Sequence, residues 1–281
     1  MINLVNVCKN YGKVTAIENM SFTLHEPGIY CLLGRNGAGK TTLMKLISGS
    51  TPVSSGKVSV NGQKVTTLNM PENVRYIEAA KTQFNMRVSE LFKMAYGLDP
   101  MFDIEFAEQM ADKFKLNRKK KYNSLSFGMK TMVTTIISLA SNDEIILLDE
   151  PVLGFDAIMR REFYELLQLS FEKNPRIIIV STHLIDEIAY VASQIIIIDE
   201  GKLLINEDIN TLTEKSYKVS GVSDSVNSAT QGLNVIAKED IGKFTVAYVF
   251  DNRIAKTEGI EIGEMTLGDL FVKMIGGKED E

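Results

Sequence analysis

Residues Gly34-Arg35-Asn36-Gly37-Ala38-Gly39-Lys40-Thr41 fit the spacing GxxxxGK[ST], and that spacing has a chemistry. Glycines let the backbone fold its N–H groups around phosphate oxygens, and the positive end of a following helix favours the negative charge. In such a loop Lys40 reaches the β- and γ-phosphates and Thr41 ligates magnesium, while Gly34, Asn36, Gly37, Ala38, Gly39 and Thr42 line the phosphate cradle. A second element, Ile145-Ile146-Leu147-Leu148-Asp149-Glu150, is a short apolar run that ends in two carboxylates. A buried strand there delivers both acids to the carboxyl edge of a sheet, where ligands of open α/β sheets bind. Asp149 suits the magnesium shell through water, and Glu150 can orient or deprotonate an attacking water.

These residues need a scaffold, and the hydrophobic pattern describes one. Asn3–Lys9, Met20–Leu24 and Ile29–Leu33 read as strands, and Lys40–Ser48 carries helical spacing directly after the glycine-rich turn. Lys57–Val60, Asn61-Gly62 and Lys64-Val65 read as a hairpin. Residues 88–140 turn helical, and then strand and helix alternate: Ile145–Asp149, a helix near Ala157–Phe171, Arg176–Ser181, a helix near Leu184–Val191, and Gln194–Asp199. Continuous Ile, Leu and Val runs separated by helices indicate a parallel sheet covered on both faces. The fold expected is α/β, a P-loop NTPase core of parallel sheet with an antiparallel β subdomain, interrupted by a helical subdomain over about 80–140. The nucleotide-binding domain spans 1–212 and a small α+β unit 213–281. In that unit Ser220–Gly232 is rich in Ser, Gly and Asn, Lys243–Phe250 alternates as a strand, and Thr266 caps an amphipathic helix through Ile275.

Composition bounds the rest. The chain has 281 residues, with 31 Lys+Arg against 36 Asp+Glu and a formal charge of −5, which argues against a general nucleic-acid binder. The purest apolar runs, Ile195–Ile198 and Ile145–Leu148, fall far short of the roughly 18 residues a bilayer span needs, and Met1–Lys9 reads as a strand rather than a secretory signal. Cys8 and Cys31 are too few for a disulfide framework and lack metal-site spacing, so they read as small apolar side chains in adjacent strands of a reduced cytosolic protein. The basic run Arg118–Lys121 reads as a solvated loop, and of the two histidines only His183 has a chemical context, His25 being structural or exposed.

Taken in order, the motifs resemble the nucleotide-binding domain of ATP-binding cassette (ABC) transporters over about residues 1–205. Leu125-Ser126-Phe127-Gly128-Met129 is similar to the family's LSGGQ signature, Pro151–Asp156 to its D-loop, and Ser181-Thr182-His183 to its switch-histidine motif; Tyr11 stands where the family keeps an aromatic against adenine. The resemblance implies ATP and Mg2+ as cofactors, ATP hydrolysis, and two cassettes, identical or not, closed head to tail around two ATP. Ser126 and Gly128 then meet the γ-phosphate held by the other subunit's Lys40, Asp156 sits at the D-loop, and His183 contacts the γ-phosphate beside Glu150. The signature departs from the family at Phe127, Met129 and Met132, where Gly, Gln and Arg are usual. The Q-loop position, a magnesium ligand, falls on Glu78 counting back from Arg87-Val88 and on Ala79 counting forward from Val74-Arg75. Glu78 is preferred because a carboxylate can ligate magnesium, and Gln83 is the third candidate.

With no membrane span, the resemblance implies a separate transmembrane permease, docking near residues 79–110, and a cytoplasmic location at the inner face of the membrane. Residues 79–114 hold 4 of the 13 Met and 5 of the 13 Phe; these are the core of the helical subdomain, an adaptable groove for a coupling helix, or both, with Phe84 and Met86 exposed. Met265-Thr266-Leu267-Gly268-Asp269-Leu270-Phe271 resembles the T-L-E-D-L-F ending of single-cassette bacterial export ATPases, and Leu125–Lys130 resembles the GMK-type signatures of drug, bacteriocin and peptide exporters. Within that group the chain is similar to exporters of amphipathic peptide toxins, those of phenol-soluble modulins included. An importer ATPase, or an immunity or regulatory protein that sequesters a ligand in its C-terminal unit, are the alternatives.

Overall fold

The computed structural model describes residues 1–78, 83–99, 101–255 and 259–276. Residues 1–206 and 207–281 form two compact units. The boundary expected at 212/213 instead falls inside a helix, Ile209–Lys215, whose N-cap is Asp208: its carboxylate accepts from Asn210 N and Thr211 N.

In the first unit, β1 (Ile2–Tyr11) and β2 (Val14–Leu24) pair antiparallel, then β3 (Gly28–Leu33) runs into the phosphate loop and α1 (Lys40–Ile47). β4 (Ser55–Val60) and β5 (Gln63–Lys64) form the expected hairpin, with Asn61 and Gly62 both at positive φ, as an Asn-Gly turn requires. After β6 (Val74–Glu78) come α2 (Val88–Leu98), α3 (Ile104–Lys113) and α4 (Phe127–Leu139). β7 (Ile145–Asp149), α5 (Ala157–Lys173), β8 (Ile177–Ser181), the single-turn α6 (Ile185–Ile188), β9 (Gln194–Asp199) and β10 (Lys202–Asp208) complete the order. The six-stranded sheet runs β10-β9-β3-β8-β7-β6, with β9, β3, β8, β7 and β6 parallel. Every residue of β3, β7 and β8 is buried, which is why these strands read as unbroken apolar runs. The four-stranded antiparallel sheet, β2-β1-β4-β5, shares its core through Ile17, Leu43, Leu147 and Ile179.

Two local devices hold α4 and the start of β7 in place. The buried hydroxyls of Thr131, Thr134 and Ser138 in α4 donate to the helix's own backbone, Thr131 to Phe127 O at 3.1 Å, Thr134 to Thr131 O at 2.9 Å and Ser138 to Thr134 O at 2.9 Å, whereas the buried Thr135 Oγ1 has no hydrogen-bond partner among the described residues. Arg176 then takes the carbonyls at the end of α4, Leu139 O at 2.7 Å and Ser141 O at 2.8 Å, just before β7 starts; burial pushes its guanidinium down to about 10.

Several sequence expectations change. Cys8 and Cys31 lie in different sheets, not adjacent strands: Cys31 is buried in β3, and Cys8 is half-buried in β1, its sulfur accepting from Asn19 N. Arg118 is not simply solvated, because it reaches back to Asp112 at 3.0 Å and Glu108 at 3.4 Å on α3. Phe92, Phe102, Phe106, Met110 and Phe114 are core, and Phe84 and Met86 are only half-exposed, Phe84 meeting the Tyr122 ring edge-on at 5.3 Å. The exposed apolar side chains there are Met94, Tyr96, Leu98 and Met101.

The second unit contains α7 (Ile209–Lys215), β11 (Ser216–Val222), α8 (Ser223–Ala229), β12 (Val235–Ile241), β13 (Phe244–Phe250), β14 (Ile260–Glu264) and α9 (Leu267–Gly276). Its antiparallel sheet, β12-β13-β11-β14, packs Tyr217, Val219, Ala247 and Val249 against Val226 of α8. The Ser-, Gly- and Asn-rich stretch 220–232 is partly helix, α8 lying within it. Thr266 does cap α9, its hydroxyl accepting from Asp269 N at 3.0 Å while the Asp269 carboxylate accepts from Thr266 N at 3.4 Å. Among the described residues no helix is long and apolar enough to cross a membrane.

Candidate nucleotide site

The carboxyl ends of β3, β7 and β8 meet at one edge, and the phosphate loop wraps over it. Gly37 and Gly39 adopt φ of +86° and +106°, a region that L side chains rarely enter, and a Cβ on Gly39 would lie 2.6 Å from Ala16 O. Gly39 is the N-cap residue of α1, so the helix's first free N–H groups point into the loop. Ala16, Arg35, Asn36, Gly37, Gly39, Lys40, Thr41, Thr42, Asp149 and Glu150 enclose a cleft of about 240 Å3. The buried ammonium of Lys40 donates to the loop's own carbonyls, Gly34 O at 2.7 Å and Arg35 O at 3.3 Å, and stands 3.9 Å from Glu150 Oε1.

Asp149 is the centre of a hydroxyl cluster. Thr41 Oγ1 donates to its Oδ2 at 2.6 Å, Tyr76 OH to the same oxygen at 3.3 Å, and Ser181 Oγ to Oδ1 at 2.6 Å. Ser181 in turn accepts from Glu150 N at 3.0 Å. That bond helps hold Glu150 at φ +50°, a left-handed conformation costing a non-glycine residue about 1 kcal/mol or more. The twist turns the Glu150 side chain out of the sheet, and its Oε2 lies 3.1 Å from His183 Nδ1. Burial and the Asp149 and Glu78 charges hold the Tyr76 phenol far above its usual range.

Magnesium fits this donor set. Thr41 and Asp149 place a hydroxyl and a carboxylate side by side, a pair of hard oxygen ligands. That suits a cation that keeps waters and leans on nucleotide phosphates.

Other expected site residues stand apart from the cleft. Tyr11, half-exposed at the end of β1, carries the Lys9 ammonium over its ring at 4.7 Å. Ser126 is the N-cap of α4, its hydroxyl accepting from Met129 N at 3.3 Å, and Asp156 caps α5 through Met159 N at 2.9 Å. Gly128 is buried where a Cβ would lie 2.8 Å from Gly154 O. Glu78 lies opposite Asp149 in the β6–β7 register and pairs with Lys45 at 3.5 Å, outside the cleft. Ala79 lies outside the described residues, and Gln83 is exposed. Sequence reading missed Tyr76 and the direct role of Ser181; Tyr76 sits two residues before Glu78, and strand periodicity would have placed both on one face had β6 been recognised.

A profile of the ABC transporter family matches residues 17–153, spanning the phosphate loop, the signature and Asp149-Glu150. These residues are the core of an ABC transporter ATPase cassette. Cassettes of this kind bind ATP with Mg2+ and hydrolyse it, and the chain is an ABC ATP-binding subunit. It is 26% identical over 247 residues to the ABC transporter ATP-binding protein YtrB of Bacillus subtilis (strain 168), covering 87% of this chain and 85% of the relative. To the lantibiotic transport ATP-binding protein SrtF of Streptococcus pyogenes it is 28% identical, covering 74% and 91%. To the taurine import ATP-binding protein TauB of Shigella flexneri it is 26% identical, covering 91% and 99%. The ATP-binding subunit of an ABC transporter superposes with a TM-score of 0.67 at 21% identity, over 75% of this chain and 91% of that one. A dimeric ATP-binding cassette bound to ADP and Pi in a post-hydrolysis state gives 0.64 at 20%, over 74% and 99%. These last two establish the shared cassette fold.

Proposed function

We propose that the chain powers an ABC exporter, two copies or two related cassettes closing around two ATP and driving a separate membrane permease that exports a drug, bacteriocin or amphipathic peptide. The observation that carries the ATPase chemistry is the Glu150–His183 contact beside Lys40. In this reading Lys40 and the loop N–H groups bind the phosphates, Thr41 and Asp149 hold magnesium, and Tyr11 supports the adenine. Magnesium, when bound, neutralises charge on the phosphates. Glu150 takes the proton of the attacking water, and His183 fixes the Glu150 carboxylate and contacts the γ-phosphate. Ser126, Gly128 and Asp156, which lie outside the cleft of their own chain, serve the nucleotide across the dimer. Glu78 is the proposed Q-loop residue.

Export is favoured by the Leu125–Lys130 signature, the Met265–Phe271 ending and the likeness to a lantibiotic transport ATPase. Met94, Tyr96, Leu98 and Met101, each exposed on or just after α2, support permease docking within residues 79–110. The second unit is an accessory domain, its tail anchored by buried Met265 and Leu270. Import is the second reading, favoured by the likeness to the taurine ATPase. Co-purification with the permease and transport in inside-out vesicles separates the two. ATP-dependent accumulation of an amphipathic peptide inside such vesicles is expected, and ATP-driven efflux of substrate from them would favour import.

A further inference from the structure

Asp149 accepts hydrogen bonds from three hydroxyls, and of these only that of Tyr76 belongs to none of the motifs above. The register explains how it gets there. β6 runs parallel to β7 with Tyr76 opposite Leu147 and Glu78 opposite Asp149, and residues two apart on a strand share a face. The ring of Tyr76 packs against the core while its hydroxyl reaches forward to Asp149 Oδ2, the oxygen that Thr41 also meets. The Glu78 carboxylate is within hydrogen-bonding reach of the same phenol and pairs with Lys45 at 3.5 Å. Lys45 is four residues after Thr41, one turn along α1. Five side chains therefore close a ring, Thr41 to Asp149 to Tyr76 to Glu78 to Lys45, that begins and ends on α1.

We propose that Tyr76 is a positioning residue that fixes the Asp149 carboxylate for magnesium and ties its orientation to the place of Glu78. This rests on the ATP-site reading above. A phenol has one proton, so it serves Asp149 or Glu78 and not both. A shift of Glu78 changes which carboxylate receives it, and the orientation of Asp149 follows. Partners of this kind around a metal ligand change metal affinity without touching the metal.

The test compares the full chain with Tyr76→Phe, Glu78→Gln and the double variant; Phe keeps the ring and its packing. Mn2+ binding is read by electron paramagnetic resonance with a non-hydrolysable ATP analogue, and nucleotide affinity by fluorescence in EDTA. Tyr76→Phe is expected to weaken Mn2+ binding by about tenfold, with metal-free nucleotide affinity unchanged. Glu78→Gln is expected to change Mn2+ affinity by a smaller factor in the Tyr76→Phe background than in the parent, the remainder being its own share as the Q-loop residue. Unchanged Mn2+ affinity in Tyr76→Phe, or full additivity in the double variant, overturns the proposal. A parent chain that binds no nucleotide with or without Mg2+ overturns the ATP-site reading itself, and this one with it.

Discussion

His183 Nδ1 lies 3.1 Å from Glu150 Oε2, and the two residues reach that contact from the ends of neighbouring strands. The pairing restrains a carboxylate that the left-handed backbone at Glu150 has already turned outward. A base held by a second group acts as a unit, so its parts are not additive. His183→Ala is expected to lower kcat by about a hundredfold while leaving the KM for ATP near the parent value. Adding Glu150→Gln should cost little more than Glu150→Gln alone. A steady-state double-mutant cycle checks this, and additive losses would show two independent roles.

Lys40 is buried and satisfied by its own loop carbonyls, and in the proposed reading it exchanges them for phosphate oxygens. Lys40→Ala should abolish nucleotide binding in a fluorescence titration without lowering the melting temperature appreciably. Retained tight binding would contradict the phosphate role.

The start of α4 is packed directly on the loop after Glu150. A Cβ on Gly128 would lie 2.8 Å from Gly154 O, a backbone atom, and one on Gly154 would lie 2.8 Å from the Phe127 ring. Gly128→Ala should therefore destabilise the first unit by about 1–3 kcal/mol, read by urea denaturation, and depress ATPase activity. A fully stable and active variant would show that the loop can give way.

How much of this was legible beforehand divides by range of interaction. The phosphate loop, the Asp149-Glu150 strand end and the Thr266 cap are local patterns, and each lies where the spacing put it. β6 was missed because its side chains are all half-buried and show neither alternation nor a continuous apolar run. With it went Tyr76, whose meaning depends on the β6–β7 register. The placing of Cys8 and Cys31 in adjacent strands failed for a related reason: strand order is set by non-local pairing, which spacing along the chain does not encode. The domain boundary slipped six residues because the Asp208 cap opens a helix that composition alone did not mark.

In the second unit, Thr266→Ala should cost about 1 kcal/mol through the lost cap. Lys218, which hydrogen-bonds the Asp269 carboxylate at 2.8 Å, holds its pKa below the ordinary value. A depressed carboxylate stabilises the fold above its unfolded pKa, and that contribution disappears as pH falls through the folded one. The acid limb of a melting curve should therefore move to lower pH in the parent than in Thr266→Ala/Lys218→Met. Coincident limbs would show that the Asp269 contacts add nothing.

Glu150 is proposed above as the base of an ATPase that holds its substrate's phosphates on Lys40. Glu150→Gln tests it most directly, because the amide keeps the shape and removes the basicity. ATP affinity should stay at the parent level, turnover should fall by about a hundredfold or more, and an ATP-bound dimer should accumulate on size exclusion. Hydrolysis at the parent rate by this variant would contradict the account.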